Sequence, residues 1–418
     1  MLKITKEGTP IKITAFAEAG KPLQVPGPLI RVPEGTEIRA NITNRVVGQP
    51  HHIYGFYQRP YSNLRDSITI APGETKGIRL NAGVAGTYFY EGKKGPFPHT
   101  DNQLYGALIV DAKNEKPDSA ERIIMIAVGI HKVDTNLLRQ YVMNGLTWPY
   151  TERLLYRQGE LVKWRVINAS RAAHPMHLHG FPFTLHSLGD IASDSIVGED
   201  KEQLVVTQDM RPRATMRISW IPVREGNWLF HCHLVDHILP VSFLRNQEEM
   251  SHANMNLETH ARDAMGGLIM GIHVLPDKKF QAKTTKSKTA ERKLTLVIGE
   301  KENYFDNSNG KGFQLWENGI TKTNGFSIPG PPLFLIKGQP AAIRIINTLK
   351  EPTTMHWHGL EIDSYYDGVP GWGYMGNKLA PIVQPGDSFT VHLTPSRAGT
   401  FIYHTHMHDL QLLQGMYG

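Results

Sequence analysis

One pattern recurs three times along the chain and limits what the chain can fold into. Each copy begins with a glycine, continues as an alternating run, and ends with an asparagine nine residues after the glycine, at residues 35–44, 159–168 and 338–347. Alternation with a period of two residues predicts a β-strand, and the glycine predicts the turn before it. Self-similarity of this kind indicates one structural unit used several times.

The downstream half of the unit also repeats. Gly73 and Gly386 each follow a proline and precede a Gly-Thr pair by 13 residues, and an aromatic-rich strand follows that pair. At 47.0 kDa the chain is too long for one hydrophobic core. We therefore predict an all-β protein of three consecutive β-sandwich domains, at residues 1–118, 119–280 and 281–418, with polar joints at 111–121 and 276–293.

Histidine pairs occupy two positions of this repeat. The first position lies nine residues after the asparagine, and the second lies five residues after the turn glycine of the downstream half. Repeats two and three carry a His-X-His pair at both positions: 177/179 and 231/233, then 356/358 and 404/406. Repeat one has His52-Ile-Tyr54 and Glu91-Gly-Lys93 instead.

Four pairs in register predict a metal cluster, although a single pair is usually an ordinary core or surface feature. Side chains alternate along a strand, so both histidines of a pair share one face and the residue between them points away. Imidazole suits copper, zinc, iron and nickel. Cys232 is the only cysteine, and with His174 and His237 it forms a His₂Cys set, the ligand chemistry of a blue-copper electron-transfer site. Core or surface positions are assigned to the other ten histidines: 51, 52, 99, 131, 186, 252, 260, 273, 392 and 408.

Composition excludes several classes of function. The net charge is +6, but lysine and arginine are spread out, which disfavours nucleic acid as a partner. No apolar run approaches the roughly 20 residues of a membrane span. The first residues show no signal-peptide core. A single cysteine excludes an intrachain disulfide, so cysteine usage does not indicate the compartment.

The motifs HPMHLHG (174–180), HCHLVDH (231–237), HWHG (356–359) and HTH (404–406) give the chain its family resemblance. It resembles the multicopper oxidases, laccase-like enzymes built from cupredoxin domains, over essentially its whole length. The resemblance implies three consecutive cupredoxin-like Greek-key β-sandwiches. The first would be copper-free, the second would hold a type 1 copper and half of a trinuclear cluster, and the third would hold the other half.

The resemblance also implies roles for individual residues and four copper ions. Type 1 copper, which takes electrons from the substrate, would be bound by His174, Cys232 and His237, and type 2 copper by His177 and His356. The type 3 pair would be bound by His179, His231, His233, His358, His404 and His406. Electrons would pass through Cys232 to this cluster, where O₂ is reduced to water. Asp367 matches the family's acidic residue beside the cluster, a proton-donor candidate, and its alternative role is that of a turn residue before glycine.

The sequence departs from the common family pattern in two ways. The order copper-free, HCH, HWHG is a cyclic permutation of the usual domain order, so we expect the cluster between domains two and three of one chain. A monomer would then suffice, and a homo-oligomer is compatible with it. The family's axial methionine position is Ser242 here, and Met265, counted back from a later strand, is expected to serve instead; the alternative is no axial ligand.

The expected substrates are phenols and aromatic amines, oxidised at an exposed edge of His237. Three roles are open for Asp236 beside it: acceptor of a phenolic proton, partner of a cationic substrate, or plain surface residue. The alternative is a metallo-oxidase acting on Cu(I) or Fe(II) through the loop 238–264, which contains Met250, His252, Met255 and His260. A solvated loop without function is the simpler interpretation of that segment. Two other classes are a copper-binding or nitrite-reducing cupredoxin protein and a structural sandwich without copper. The resemblance implies an extracytoplasmic location, and comparison of repeats one and three predicts that domain three lacks its last strand.

Overall fold

The computed structural model describes residues 13–62, 66–94, 104–133, 136–239, 261–262, 264–280, 289–306, 308–407 and 409–418. These residues form strands almost throughout, and the described helices are short: three 3₁₀ turns (Glu199–Lys201, Val235–His237 and Ser364–Tyr366) and α1 (Asp409–Leu413). No helix in these ranges is long and apolar enough to cross a membrane. The strands fall into three sets along the chain, which confirms the predicted all-β fold of consecutive sandwiches.

The first set forms a five-stranded sheet, ordered β1-β7-β6-β3-β4, that packs with the pair β2-β5. Its strands are β1 (Gly27–Pro33), β2 (Glu37–Thr43), β3 (His51–Tyr54), β4 (Ile68–Ile70), β5 (Thr75–Asn81), β6 (Gly86–Lys94) and β7 (Tyr105–Asp111). The core between the two sheets includes Tyr88, Tyr90 and Leu108 from the aromatic strand β6 and its neighbour β7.

The second set is the largest. Its strands are β8 (Arg122–Val133), β9 (Asn136–Met143), β10 (Arg153–Arg157), β11 (Val162–Asn168), β12 (His174–Leu178), β13 (Phe183–Asp190), β14 (Asp194–Ile196), β15 (Leu204–Val205), β16 (Thr207–Met210), β17 (Ala214–Trp220), β18 (Gly226–Cys232) and β19 (Ile269–Leu275). One sheet has the order β10-β19-β18-β12-β16, and the other has the order β14-β13-β17-β11-β8-β9 with β15 beside β13. Trp164, Trp228 and Phe230 are fully buried between the sheets.

The third set has a main sheet, ordered β22-β21-β20-β23-β27, and two pairs, β24-β28 and β25-β26. Its strands are β20 (Arg292–Phe305), β21 (Ser308–Glu317), β22 (Ile320–Thr321), β23 (Ala341–Asn347), β24 (His356–His358), β25 (Tyr374–Met375), β26 (Lys378–Leu379), β27 (Ser388–Leu393) and β28 (Ile402–His404). The expected absence of a last strand and the domain boundaries at 118/119 and 280/281 stay predictions.

The asparagine of the sequence repeat does the same work in all three sets. The side-chain Nδ2 groups of Asn44, Asn168 and Asn347 donate to the backbone oxygens of residues 70, 210 and 383, at 3.0, 3.1 and 2.9 Å. Each Oδ1 also accepts the backbone N–H two residues further on, at 2.9 Å. An asparagine can close a turn and hold a second segment at once, because its amide both donates and accepts. The repeat therefore marks a fixed corner of the sandwich.

Candidate metal centre

Two pairs of antiparallel strands bring the four His-X-His motifs together. In the second set His177 on β12 lies opposite His231 on β18, and in the third set His356 on β24 lies opposite His404 on β28. The two sets are held against each other by hydrogen bonds from Asn227 Nδ2 to Trp372 O and from Ser364 Oγ to Asn227 O, both 2.8 Å. As a result, all eight motif histidines of one chain face a common region.

A first group of donors consists of His174, Cys232 and His237, all buried. The two Nδ1 atoms lie 3.0 Å apart, and Cys232 Sγ lies 3.3 Å from His237 Nδ1 and 3.7 Å from His174 Nδ1. The other nitrogen of His174, Nε2, lies 2.7 Å from Ser170 Oγ, which fixes the ring so that Nδ1 faces the thiol. The predicted His₂Cys set is thus assembled with its donor atoms converging.

The surroundings of His237 correct one expectation. Only 5% of this residue is exposed, so its edge is not open to solvent as predicted. The ring of Tyr141 packs on His237 with centroids 4.0 Å apart and meets His174 edge-on at 5.3 Å. His237 Nε2 lies 3.6 Å from Asp236 Oδ2. The carboxylate of Asp236, with its side chain 77% exposed, is the part of this pair that reaches solvent.

Met265 is buried on the other face of β18. It packs with Trp148, Leu229 and Ile269, whereas the core cluster that contains Cys232 holds five other methionines: Met143, Met176, Met210, Met216 and Met270. Met265 also lines a cavity with His231 and His233, which share a strand face with Leu229. Its role as an axial ligand stays a prediction. Ser242 and the loop residues Met250, His252, Met255 and His260 lie outside the described residues.

The eight motif histidines form three further groups, each with its donor atoms within 4.8 Å: 177/179/356, 179/231/406 and 233/358/404. His177 Nε2 lies 3.4 Å from His356 Nε2, His179 Nε2 lies 2.8 Å from His231 Nε2, and 3.3 Å separate Nε2 of 233 from Nε2 of 404. Each group combines residues of the second and third sets. The expected location of the cluster, between these sets within one chain, agrees with this arrangement.

The second ring nitrogen of most of these histidines is held by an oxygen. The Nδ1 groups of 177, 231, 356 and 404 lie 2.7–2.8 Å from the backbone oxygens of residues 206, 232, 367 and 405. Such partners fix the tautomer and leave Nε2 with a free lone pair toward the cluster. Two of these oxygens belong to the residue between the histidines of a pair, Cys232 and Thr405. The sequence motifs did not indicate the other two, those of residues 206 and 367, because these come from segments that share no spacing with the histidines.

Burial keeps these imidazoles neutral. Desolvation lowers the pKa of His231 to about 3 and of His233 to about 4, and it lowers the pKa of His177, His179 and His404 well below the usual value. The neighbouring histidines lower these pKa values further. A neutral imidazole is the form that binds a metal ion. Protonation of these histidines is therefore unfavourable, whereas their neutral rings can bind a metal ion such as copper.

The same pKa shifts predict how the metal-free protein responds to acid. An unfolded histidine takes up a proton near its ordinary pKa of 6.5, whereas these folded histidines do not. Below that pH the unfolded state binds protons that the folded state does not. The free energy of unfolding therefore falls by about 1.4 kcal/mol per pH unit for each buried histidine, and it is unaffected by these groups above that pH. We expect the melting temperature of metal-free protein to be flat between about pH 7 and 8.5 and to fall steeply below about 6.5. A flat profile down to pH 5 would contradict this.

Asp367 lies where the resemblance predicts an acidic residue. It is 1% exposed, and its Oδ2 lies 2.7 Å from His179 Nδ1. Its Oδ1 lies 3.3 Å from His356 Nδ1, the ring that also bonds the backbone oxygen of Asp367. Burial raises the pKa of this carboxyl, and His356 opposes the shift. The carboxyl thus contacts two of the three groups and holds its proton more tightly than an exposed aspartate does.

Cys232 joins the first group to the others. Its two neighbours in sequence, His231 and His233, belong to different histidine groups. His231 Nδ1 donates to the backbone oxygen of Cys232 at 2.7 Å. A covalent path with a hydrogen-bonded branch therefore links the thiol to both groups.

His358 Nδ1 is buried without a hydrogen-bond partner among the described residues, as expected of an atom that binds a metal ion.

In the first set of strands, the second histidine position of the repeat holds an ion pair. Glu91 Oε1 lies 2.8 Å from both Lys93 Nζ and Arg213, and Lys93 sits 4.3 Å above the ring of Tyr54. The other ten histidines belong to none of the four donor groups found among the described residues. Four of them, at 99, 252, 260 and 408, lie outside those residues, as does the side chain of the histidine at 131.

Comparisons with known proteins point to one family. A family model described as multicopper oxidase matches residues 20–115 and 316–418, and a second model of the same description matches residues 125–240. Copper resistance protein A of Escherichia coli is 35% identical over 97 residues, which are 23% of this chain and 15% of that protein. A multicopper oxidase of Staphylococcus epidermidis is 31% identical over 157 residues, 32% of this chain and 33% of the relative. The chain thus spans a third or less of the length of these relatives. The solved multicopper oxidase mgLAC is 21% identical and covers 66% of this chain and 88% of its own, with a TM-score of 0.48.

Proposed function

The chain belongs to the multicopper oxidase family, and from this premise we propose that it is a laccase-like enzyme that oxidises phenols or aromatic amines and reduces O₂ to water. The observation that carries the proposal is the convergence of one His₂Cys group and three all-histidine groups within a single chain. The donor set fits copper, because a buried thiol with two imidazoles is the ligand chemistry of a blue-copper site. Four ions would be held, by the first group and by the eight motif histidines.

Copper bound in these groups would supply one-electron transfer at the first group and reduction of O₂ at the cluster. The residues of the chain orient the metal-binding rings and connect the first group to the cluster. Ser170 and Tyr141 hold the rings of His174 and His237, and Cys232 joins the first group to the cluster by covalent bonds. Asp367 holds a proton within reach of two cluster histidines.

The surface beside His237 suits an apolar substrate with one acidic proton. Leu234 and Leu239 are 39% and 42% exposed on either side of the short turn that carries His237. The exposed carboxylate of Asp236 lies 3.6 Å from His237 Nε2, and a phenol loses a proton when it loses an electron. We propose that Asp236 accepts that proton, the role of a general base.

A metallo-oxidase is the second candidate. Asp209 and Asp236 both lie close enough to Cys232 to raise the pKa of its thiol. Carboxylates near an electron-accepting site suit a cation such as Fe(II), whereas Cu(I) as the reductant would need soft donors such as methionine. The loop 238–264 would add donors, and it lies mostly outside the described residues.

Steady-state kinetics on fully copper-loaded enzyme distinguish the laccase-like enzyme from the metallo-oxidase. We expect a phenol to be oxidised faster than Cu(I) or Fe(II), and Asp236→Asn to slow phenol oxidation roughly tenfold, below the usual range for a general base because the side chain is solvent-exposed. The same variant should leave the oxidation of ferrocyanide, which loses no proton, unchanged. A strong preference for Cu(I) would overturn the laccase proposal and favour the metallo-oxidase.

A copper-binding or nitrite-reducing cupredoxin protein remains the alternative from another class. Such a protein does not require the cluster histidines, so a count of four copper ions per chain would exclude this class. We further propose that a monomer suffices, because all donors of the four groups come from one chain, and that the enzyme acts outside the cytoplasm, as the family resemblance implies.

A further inference from the structure

We infer that Thr207 is a positioning residue that selects which nitrogen of His358 binds copper. The inference rests on the proposed function, since it concerns the cluster. Thr207 begins β16, in register with His177 on β12, and its Oγ1 lies 2.9 Å from His358 Nε2. The threonine belongs to the second set of strands and the histidine to the third. One hydroxyl of the second domain therefore orients a ligand of the third.

His358 is reversed relative to the other cluster histidines whose partners are known. In five of them, 177, 179, 231, 356 and 404, it is Nδ1 that lies 2.7–2.8 Å from an oxygen. In His358 the oxygen partner is at Nε2, and Nδ1 is the buried nitrogen without a partner among the described residues. The free lone pair of His358 is thus on Nδ1, as long as Nε2 carries the proton.

A hydroxyl oxygen makes that arrangement stable. Thr207 Oγ1 can accept a hydrogen bond from His358 Nε2–H, and it also lies 3.1 Å from His177 Nδ1. The rings of His177 and His358 stack with centroids 3.7 Å apart and planes 14° from parallel. The stacking fixes the plane of His358. A proton on Nε2 then has an acceptor in Thr207 Oγ1, whereas a proton on Nδ1 would be a buried donor without an acceptor among the described residues. A neutral imidazole has one donor and one acceptor nitrogen, so the choice at Nε2 decides the state of Nδ1.

Removal of the hydroxyl separates positioning from packing. Thr207→Val keeps the volume and the β-branch that favours a strand but leaves His358 Nε2–H without an acceptor. Loss of a partner that orients a metal-binding histidine typically costs about 10- to 100-fold in metal affinity. We expect Thr207→Val to bind the cluster copper about 10- to 100-fold more weakly in titrations against a chelator, and Thr207→Ser, which keeps the hydroxyl, to match the wild type.

The blue colour is the internal control. The group of His174, Cys232 and His237 has no contact with Thr207 among the hydrogen bonds of the described residues, so Thr207→Val should stay blue while losing cluster copper. Wild-type cluster affinity in a blue Thr207→Val protein would overturn the inference. A wild type that binds no copper at the cluster would instead overturn the proposed function.

A measurement without any variant covers the case in which Thr207→Val fails to fold. In full-length, metal-free wild-type protein labelled with ¹⁵N at histidine, the ring nitrogens report the tautomer directly. We expect His358 to be protonated at Nε2, assigned by the signals that disappear in His358→Gln. Protonation at Nδ1 would overturn the inference.

Discussion

Replacement of Cys232 by serine is expected to abolish the blue colour and reduce substrate oxidation to the background rate, while the eight motif histidines still bind copper. Burial raises the pKa of the Cys232 thiol to about 12 in the metal-free protein, so a metal ion must displace its proton. A serine hydroxyl holds its proton far more tightly and lacks the soft sulfur that copper of this type prefers. The two imidazoles of the first group would then lack their anionic ligand.

Copper content and spectra check this prediction together. We expect about three copper ions per chain instead of four, no blue absorption, and an unchanged signal from the cluster. Serine leaves a hydroxyl in the apolar cluster around Met176 and Phe230, which costs about 1–3 kcal/mol of folding stability if it finds no partner. The melting temperature of the metal-free variant therefore serves as a control. Phenol oxidation at the wild-type rate would refute the proposed path through Cys232.

The repeat made the fold and the histidine groups predictable. The Gly-to-Asn spacing marks a corner with the same hydrogen bonds in each sandwich, so residues at fixed offsets from Asn168 and Asn347 occupy equivalent places. The pairs nine residues later then fall at the end of β12 and on β24, and strand alternation puts both histidines of a pair on one face. Local periodicity was sufficient for these statements, because each concerns one repeat at a time.

The partners of the histidines could not be predicted in this way. Thr207 reaches His358 only because β16 pairs with β12 and the second sandwich docks on the third. Tyr141 covers His237 from β9, a strand of the opposite sheet. Both contacts depend on how sheets and domains pack, which has no signature in sequence spacing. The burial of His237 was mispredicted for the same reason.

The first sandwich carries an ion pair where the other two carry a histidine pair. At the second histidine position it has Glu91 and Lys93, paired with each other at 2.8 Å and tied to Arg213 of the second sandwich. A buried charge pair with a further cation across the interface serves as a contact between domains. The same strand position therefore carries histidine pairs in the second and third sandwiches and a domain contact in the first.

Substitution of Asp367 by asparagine is expected to slow turnover by about 10²- to 10⁴-fold, the usual contribution of a general acid, without loss of colour or copper. The amide oxygen can still accept the hydrogen bond from His179 Nδ1, so the ring keeps its orientation. The amide cannot release a proton, however, and O₂ reduction to water consumes protons. Burial raises the pKa of the Asp367 carboxyl, which keeps the proton available in a site where the neighbouring histidines are neutral.

Two measurements show which half of the catalytic cycle is slowed in Asp367→Asn. Anaerobic reduction by a phenol should bleach the blue colour at the wild-type rate, because that step involves His237 and Cys232, which lie in a separate donor group. Reoxidation of the reduced enzyme by O₂ should carry the whole defect. Asp367→Glu keeps an acid with one more methylene and should recover part of the rate. If Asp367→Asn reoxidised as fast as the wild type, Asp367 would be only a hydrogen-bond acceptor for His179; if it lost copper, its main role would be to orient the ligands.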